Sequence, residues 1–288
     1  MKLRMTRRSL LGGLLAAGCL PASVYAYMRR EAEAVEISRR QIPIRGITGP
    51  IKVVQISDTH MSPAVSIDYL QRCSRLAVAE NPDLIFLTGD YTTQGAPDTD
   101  AAQSIFTPLA NAAPTYAVIG NHDFIPLPDN RVGFAPMLAL LTSCGVRTLF
   151  NEATVVSVRN SLLNLVGLGD IWSGTCQPQD CLISRNTPAA DIPTVLLSHN
   201  PDSKTSVAEF QWDLMLSGHT HGGQIRVPFT EIRPVLPLAD RSMAEGIYTW
   251  NERLIYINRG VGNLHGLRFN CPPEISVIEL IPHTAHAS

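Results

Sequence analysis

The sequence predicts one α/β domain in which two packed β-sheets are flanked by helices. The first half of the chain alternates short apolar runs, rich in β-branched residues, with segments of helical periodicity. The second half is a succession of strand-like runs with little helix between them. The 288 residues are 45% hydrophobic, which is enough for one large core, and no internal repeat or clear linker divides them.

The first half contains three predicted strands, each followed by a predicted helix. The strands are placed at residues 51–57, 84–88 and 115–119. The helices are placed at residues 67–80, 101–110 and 136–143. Such an alternation is typical of a sheet covered by helices.

The second half contains eight predicted strands. Residues 154–158 and 162–168 are predicted to form a hairpin, and residues 194–198 and 213–217 are predicted to be buried strands. Further strands are predicted at residues 225–227, 246–250, 254–258 and 274–280. This density of strands predicts a second sheet.

The N-terminus has the pattern of an export signal. Arg7 and Arg8 form a twin-arginine pair, an apolar run extends from Leu10 to Ala26, and residues 24–26 resemble a signal-peptidase site. We therefore expect residues 1–26 to engage the twin-arginine export machinery and to direct the protein to the periplasm or the outer face of the cytoplasmic membrane. The alternative is an uncleaved anchor, for which the run is short of the roughly 20 residues of a membrane span.

Charge and cysteine content restrict the function further. Beyond residue 26 the chain has 19 basic and 25 acidic residues. Nucleic-acid-binding proteins normally present a basic face, so no specific nucleic-acid partner is expected. No cysteines have zinc-finger spacing. For Cys176 and Cys181, a disulfide formed after export and two free thiols both fit.

Side chains that can bind metal follow five of the predicted strands. They are Asp58 and His60, then Asp90, then Asn121 with His122 and Asp123, then His199, and then His219 with His221. Loops at the carboxyl ends of sheet strands lie together, so residues distant in sequence can share one site. Oxygen and imidazole ligands without thiolate suit manganese, iron or zinc. Seven candidate ligands are too many for one tetrahedral zinc and fit two divalent ions about 3.5–4 Å apart.

These five segments, in this order, resemble the signature of the calcineurin-like metallophosphoesterases, over residues 52–280. The resemblance implies a four-layer sandwich of two mixed β-sheets flanked by helices. It implies a first metal on Asp58, His60 and His221, and a second metal on Asn121, His199 and His219. Asp90 would bridge both metals, His122 would be the catalytic histidine, and Asp123 would orient His122.

The implied domain boundaries follow from the same resemblance. Residues 1–26 are the signal peptide, residues 27–50 an N-terminal link and first strand, residues 51–282 the metallophosphoesterase domain and residues 283–288 a polar tail. The implied reaction is hydrolysis of a phosphodiester or pyrophosphate bond in an anionic phosphoester substrate. A hydroxide bridging the metals would attack, and His122 would protonate the leaving oxygen.

Two other functions remain open. Residues 268–275 resemble the C-terminal signature of an exported bacterial subgroup, which includes twin-arginine-dependent phosphodiesterases and relatives that act on a lipid-linked nucleotide sugar. One alternative is therefore a pyrophosphatase for an envelope lipid precursor of the UDP-diacylglucosamine type, although such a precursor is normally met at the cytoplasmic face. The other is a non-catalytic protein of the membrane or cell-wall surface that retains metals for stability.

Four further residues lie near the predicted site. Arg268 and His265 occupy a glycine-rich loop and are candidates to bind the anionic substrate, Arg268 because a guanidinium matches phosphate geometry. For His265 the alternative is an exposed loop position. Asp170 and Trp172 follow a strand, and we expect them to form an ordinary turn rather than to line the site.

Overall fold

Two six-stranded mixed β-sheets stack against each other in the computed structural model, which describes residues 22–93, 98–126, 132–187 and 191–283. The twin-arginine pair, most of the predicted signal peptide and nearly all of the predicted polar tail lie outside these residues. Among the described residues, no helix has both the length and the apolar character needed to cross a membrane.

The elements follow the chain in this order. Residues 22–31 form helix α1, and they are followed by β1 (Glu36–Ile44), β2 (Ile51–Ile56), α2 (Ile67–Ala79), β3 (Leu84–Leu87), α3 (Thr99–Ala112), β4 (Thr115–Ala117), β5 (Ile125–Pro126), β6 (Val132–Gly133), α4 (Ala135–Ser143) and β7 (Arg147–Thr148). The second half contributes β8 (Glu152–Val158), β9 (Ser161–Gly167), β10 (Thr194–Leu197), β11 (Leu214–Ser217), β12 (Gly246–Trp250), β13 (Arg253–Ile257) and β14 (Glu274–Pro282). Short 3₁₀ helices lie at Asn121–Asp123, Pro178–Asp180, Pro201–Lys204 and His221–Gly223.

The strand order brings the two halves of the chain together. The first sheet runs β1-β14-β2-β3-β4-β7, and the second runs β12-β13-β11-β10-β9-β8. The central strands of each sheet are parallel, and both sheets also contain antiparallel pairs. The last strand, β14, lies between β1 and β2, so the C-terminal segment completes the sheet that the N-terminal half begins.

Apolar side chains fill the space on both faces of each sheet. In β2, Val53 packs between the sheets while Val54 packs beneath α2 and α3. In β10, Val195 and Leu197 pack between the sheets, and Leu196 packs outward against irregular segments and short 3₁₀ helices. Burial on two faces explains why these strands are continuous apolar runs rather than alternating ones.

Helix starts depend on capping residues. Ser66 accepts a hydrogen bond from the Tyr69 amide at the start of α2, and Asp98 accepts one from the Ala101 amide at the start of α3. Because Asp98 caps it, α3 begins two residues before the predicted helix.

One predicted strand is wrong. Residues 225–227 form only an isolated bridge, between Ile225 and Phe269, and the Val227 amide donates to the carbonyl of Ile232. The backbone therefore turns back on itself instead of extending along a sheet. The strand expected somewhere in residues 27–50 is β1, a nine-residue edge strand preceded by α1.

Candidate metal centre

The candidate ligands meet where the carboxyl ends of the two sheets come together. There the Gln55 side chain on the first sheet donates to the carbonyl of Ser217 on the second over 2.9 Å. Asp58, His60 and His221 form one buried cluster, and Asp90, His199 and His219 form another. Within each cluster the possible ligand atoms all lie within 4.8 Å of one another. The two histidines of the His219–His221 segment thus enter different clusters.

Asp90 faces both clusters. Its Oδ2 lies 3.1 Å from His199 Nε2 and 3.6 Å from His60 Nε2, which belongs to the other cluster. Its Oδ1 accepts a hydrogen bond from the backbone amide of His122 over 2.8 Å. One carboxylate oxygen is therefore held by the backbone while the other is directed between the clusters.

The side chains present fit a pair of divalent cations. His60 Nε2 and His221 Nε2 approach to 3.1 Å, and so do His199 Nε2 and His219 Nδ1. The buried Oδ1 of Asn121 has no hydrogen-bond partner among the described residues. Buried polar atoms are normally satisfied, so an orphaned oxygen beside converging imidazoles indicates a site that a cation completes.

Backbone carbonyls fix which ring nitrogen faces the second cluster. The Nδ1 of His199 donates to the carbonyl of Thr88 over 2.7 Å, and the Nε2 of His219 donates to the carbonyl of Pro237 over 3.1 Å. A carbonyl only accepts, so the other nitrogen of each ring is the one that can present a lone pair to a cation. Hydrogen bonds of this kind orient histidine ligands in metal sites.

The ligand segments have unusual backbone conformations. Asp58, His60, Asp90, His219 and His221 all have positive φ, between 45° and 69°. Non-glycine residues seldom adopt this region, and such strain persists mainly where surrounding structure enforces it, at functional sites above all. These conformations occur in the segments that directly follow β2, β3 and β11, where the candidate ligands lie.

Gly218 permits the close contact between the sheets at this point. A Cβ atom at residue 218 would collide with the Ser57 hydroxyl and the Asp58 carboxylate. Without it, the His219 amide comes within 3.0 Å of Asp58 Oδ2 and donates to it. The glycine therefore lets one ligand segment position the other.

Burial and mutual charge shift the pKa values of the ligands in the metal-free protein. Burial raises the pKa of Asp58 to about 6, and it lowers the pKa of His60 to about 4 and of His219 to about 3. For His199, burial opposes the charged form, but the neighbouring Asp90 carboxylate raises the pKa to about 10. The metal-free centre therefore holds a proton on His199 at neutral pH.

Metal affinity should consequently rise with pH. A cation must displace the His199 proton, so between about pH 6 and 9 the affinity of the second site should gain roughly tenfold per pH unit. Below about pH 6, Asp58 is also protonated and the first site should weaken as well. Titration calorimetry of the metal-free chain with Mn²⁺, in buffers of different ionisation enthalpy, should detect about one proton released per second-site ion. An affinity that stays constant from pH 6 to 9 would contradict this expectation.

His122 lies beside the two clusters and belongs to neither. Its ring packs edge-on against His60, with centroids 5.0 Å apart, and its Nδ1 donates to the Thr93 carbonyl over 3.0 Å. The side chain lines the cleft above the clusters. Its Nε2 is therefore the nitrogen left to face a substrate.

The role expected for Asp123 needs correction. The Thr93 carbonyl, not Asp123, receives the His122 Nδ1 hydrogen bond. The buried Asp123 carboxylate instead accepts hydrogen bonds from the amides of Asp90, Tyr91 and Gly120 over 2.7–2.9 Å. It holds the Asp90 and Asn121 loops together, because three amides that point inward need an acceptor there.

The structure also corrects the role expected for Arg268. Its guanidinium is fully buried and donates to the backbone carbonyls of five residues: Arg259, Gly260, Gly262, His221 and Cys271. It lies behind His221 rather than in the cleft, so it cannot reach a substrate. His265 is exposed, and it is not among the residues that line the cleft.

The cleft over the clusters has a volume of about 240 Å³ and a largely apolar rim. Trp172 lies in the expected turn, but contrary to expectation it also forms part of this rim and packs edge-on against His219, with centroids 4.3 Å apart. Asp170 does form a turn, since its Oδ2 accepts from the Ser173 amide. The rest of the rim comes from residues 234–237 and Leu264. The sequence analysis did not predict that these residues line the cleft. The only signal in the sequence is that they are apolar residues in otherwise polar loops.

The fold and the site together define a two-sheet metal-dependent hydrolase. A comparison with protein-family profiles matches residues 51–223 to the calcineurin-like phosphoesterases. The chain belongs to this family and is a metal-dependent phosphoester hydrolase. It is 37% identical to the phosphodiesterase YaeI of Escherichia coli K12, over 92% of this chain and 96% of that protein. It is 33% identical to the uncharacterised metallophosphoesterase YkuE of Bacillus subtilis, over 96% of this chain and 98% of that protein.

A third relative is named for a particular substrate. The UDP-2,3-diacylglucosamine pyrophosphatase LpxG of Chlamydia muridarum is 26% identical over 80% of this chain and 84% of that protein. The family, the two clusters and the shared carboxylate together indicate a dinuclear divalent metal centre.

Proposed function

We propose that this protein hydrolyses phosphodiester bonds at a centre of two divalent cations. Asp58, His60 and His221 hold the first cation, and Asn121, His199 and His219 hold the second. Asp90 is shared between them. The cations, when bound, bind phosphoryl oxygens and lower the pKa of water, which is otherwise a weak nucleophile at neutral pH.

The protein side chains supply positioning and a proton. The backbone amide of His122 fixes one oxygen of Asp90, so the same residue that lines the cleft also orients the shared carboxylate. The hydrogen bond from Nδ1 to Thr93 directs His122 Nε2 toward the substrate side, where it donates a proton to the leaving oxygen. The apolar rim limits the access of bulk water and packs against the group attached to the phosphate.

One observation carries the proposal: the Oδ2 of Asp90 lies between two buried clusters that share one cleft with His122. A structural metal site would need neither an open cleft nor a histidine outside the ligand set. The similarity to a protein named as a phosphodiesterase supports a diester in preference to a monoester.

The test compares two chromogenic substrates. The full chain loaded with Mn²⁺ should hydrolyse bis-p-nitrophenyl phosphate faster than p-nitrophenyl phosphate. Asp90→Ala, purified in parallel, should lose this activity and thereby control for contaminating phosphatases. A monoester preference would overturn the assignment to diesters. No turnover of either substrate by the metal-loaded chain would favour the non-catalytic alternative.

A pyrophosphate within a lipid-linked nucleotide is the second candidate substrate. The apolar rim of the cleft and the similarity to LpxG support it. If it is the better substrate, the Mn²⁺-loaded chain should release nucleoside monophosphate from a diacylated UDP-sugar with a higher kcat/KM than that for bis-p-nitrophenyl phosphate.

A further inference from the structure

Residues 226–237 form a loop that exposes large apolar side chains next to the cleft. Phe229, at the tip of the turn closed between Val227 and Ile232, is fully exposed, at 106%. Ile232 and Val235, further along the loop, are exposed at 60% and 59%. Three such residues on one short loop are unusual, because a soluble surface normally scatters them singly.

This loop, the 226–237 loop, connects the cleft to the N-terminal helix. Its first half lines a cavity of about 610 Å³ together with Tyr27 and Phe269. Residues 234–237, at the end of the loop, form part of the rim of the metal cleft, whereas Phe229 and Ile232 do not line it. The ring of Tyr27 in α1 packs edge-on against Phe269, with centroids 5.6 Å apart. One continuous surface therefore runs from α1, along the loop, to the cleft.

The sequence of α1 indicates what meets this surface. The helix continues the apolar run that starts at Leu10, and Val24, Tyr25 and Tyr27 are exposed on its described part. A segment of this composition partitions into the boundary region of a bilayer, with aromatic rings at the headgroup level. The loop lies beside the point where that segment joins the domain, so in the uncleaved chain the same bilayer would meet both.

We propose that the 226–237 loop inserts into a phospholipid bilayer and presents the cleft to phosphoesters of amphiphiles at the membrane surface. The substrate part of this inference rests on the proposed function, whereas the membrane contact does not. Burying a phenylalanine and an isoleucine in the acyl boundary is strongly favourable, so serine substitutions should weaken the contact by roughly tenfold or more.

The kinetic test uses two esters with the same p-nitrophenol leaving group, one dissolved in water and one embedded in vesicles. Methyl p-nitrophenyl phosphate is presented in solution, and hexadecyl p-nitrophenyl phosphate is presented in phosphatidylcholine vesicles. For the full, Mn²⁺-loaded chain, Phe229→Ser with Ile232→Ser should lower turnover in vesicles roughly tenfold or more. Turnover in solution should stay unchanged. The matched control is Val155→Ser with Leu162→Ser, an exposed apolar pair on the β8–β9 hairpin, which should change neither rate.

A binding measurement keeps the proposal testable without catalysis. In the full chain, vesicles of brominated phosphatidylcholine should quench the fluorescence of Phe229→Trp beyond the baseline that the native tryptophans give in the wild type, and Val155→Trp should show no quenching beyond that baseline. Quenching of Phe229→Trp no greater than that of the wild type, or unaltered vesicle turnover in the double serine variant, would overturn the proposal. Self-association that disappears in that variant, without quenching, would assign the loop to a protein partner instead. If neither ester is hydrolysed but quenching occurs, the proposed function fails and the membrane contact stands.

Discussion

His122→Ala is expected to lower kcat by ~10²–10⁴-fold for a phosphodiester with an alkyl leaving group while the protein keeps both metals. The imidazole lies outside both ligand clusters and its Nε2 faces the cleft, so its removal deletes a proton donor without opening a coordination position. The backbone amide of His122, which holds Asp90, is unaffected by the substitution. Turnover of an alkyl phosphodiester and of bis-p-nitrophenyl phosphate, and metal content by mass spectrometry, should be measured on the same preparation.

The contrasting variant is Asp58→Asn. Asp58 is a candidate ligand, and its carboxylate also accepts the His219 amide, so metal content and activity should fall together. If His122→Ala loses metal in parallel with activity, His122 is a ligand and the division of roles is wrong. A leaving group of low pKa, such as p-nitrophenol, needs little protonation. The loss should therefore be larger for an alkyl leaving group than for the chromogenic ester.

The sequence predicted which strands end in ligands, because that information is local. A continuous apolar run followed by Asp, Asn or His is readable without tertiary structure, as at Leu84–Leu87 with Asp90. The pairing of His221 with Asp58 across two sheets required the additional information of a family resemblance. The structure supplies its physical basis: the positive φ of both residues and the space left by Gly218.

Three predictions made from the sequence are wrong because contacts with other segments of the chain determine the structure or role of the residues concerned. The Asp123 carboxylate is sequestered by backbone amides of Asp90 and Tyr91 on another loop and of Gly120 on its own loop, which no pattern around residue 123 indicates. Residues 225–227 have strand composition but no neighbouring strand. Arg268 has the chemistry to bind phosphate, yet carbonyls of the loop after β13 and the carbonyl of His221 enclose it. Residue type indicates what a group can bind, whereas burial decides what it does bind.

Arg268→Met should destabilise the protein and selectively weaken the first metal site. The guanidinium joins the loop after β13, whose Val261 and Gly262 amides bond to the Asp58 segment, to the carbonyl of His221. Its removal leaves several buried carbonyls without donors, at about 1–3 kcal/mol each before relaxation, so we expect a loss of at least ~3 kcal/mol. Loss of a group that supports a ligand typically lowers metal affinity ~10–100-fold.

The matched control for Arg268 is Arg253→Met. Arg253 is also buried and donates to the carbonyls of Val207 and Ala208, but it stacks on Trp212, away from both clusters. Both variants should melt at lower temperature, whereas only Arg268→Met should lose about one equivalent of metal on dialysis. Arg268→Lys keeps the charge but not the fork of donors. Its melting temperature and its metal content should therefore lie between those of the wild type and those of Arg268→Met. Equal metal retention in the two methionine variants would show that Arg268 stabilises the fold alone. Selective loss of the first ion would show that a buried arginine behind His221 sets the geometry of that ligand.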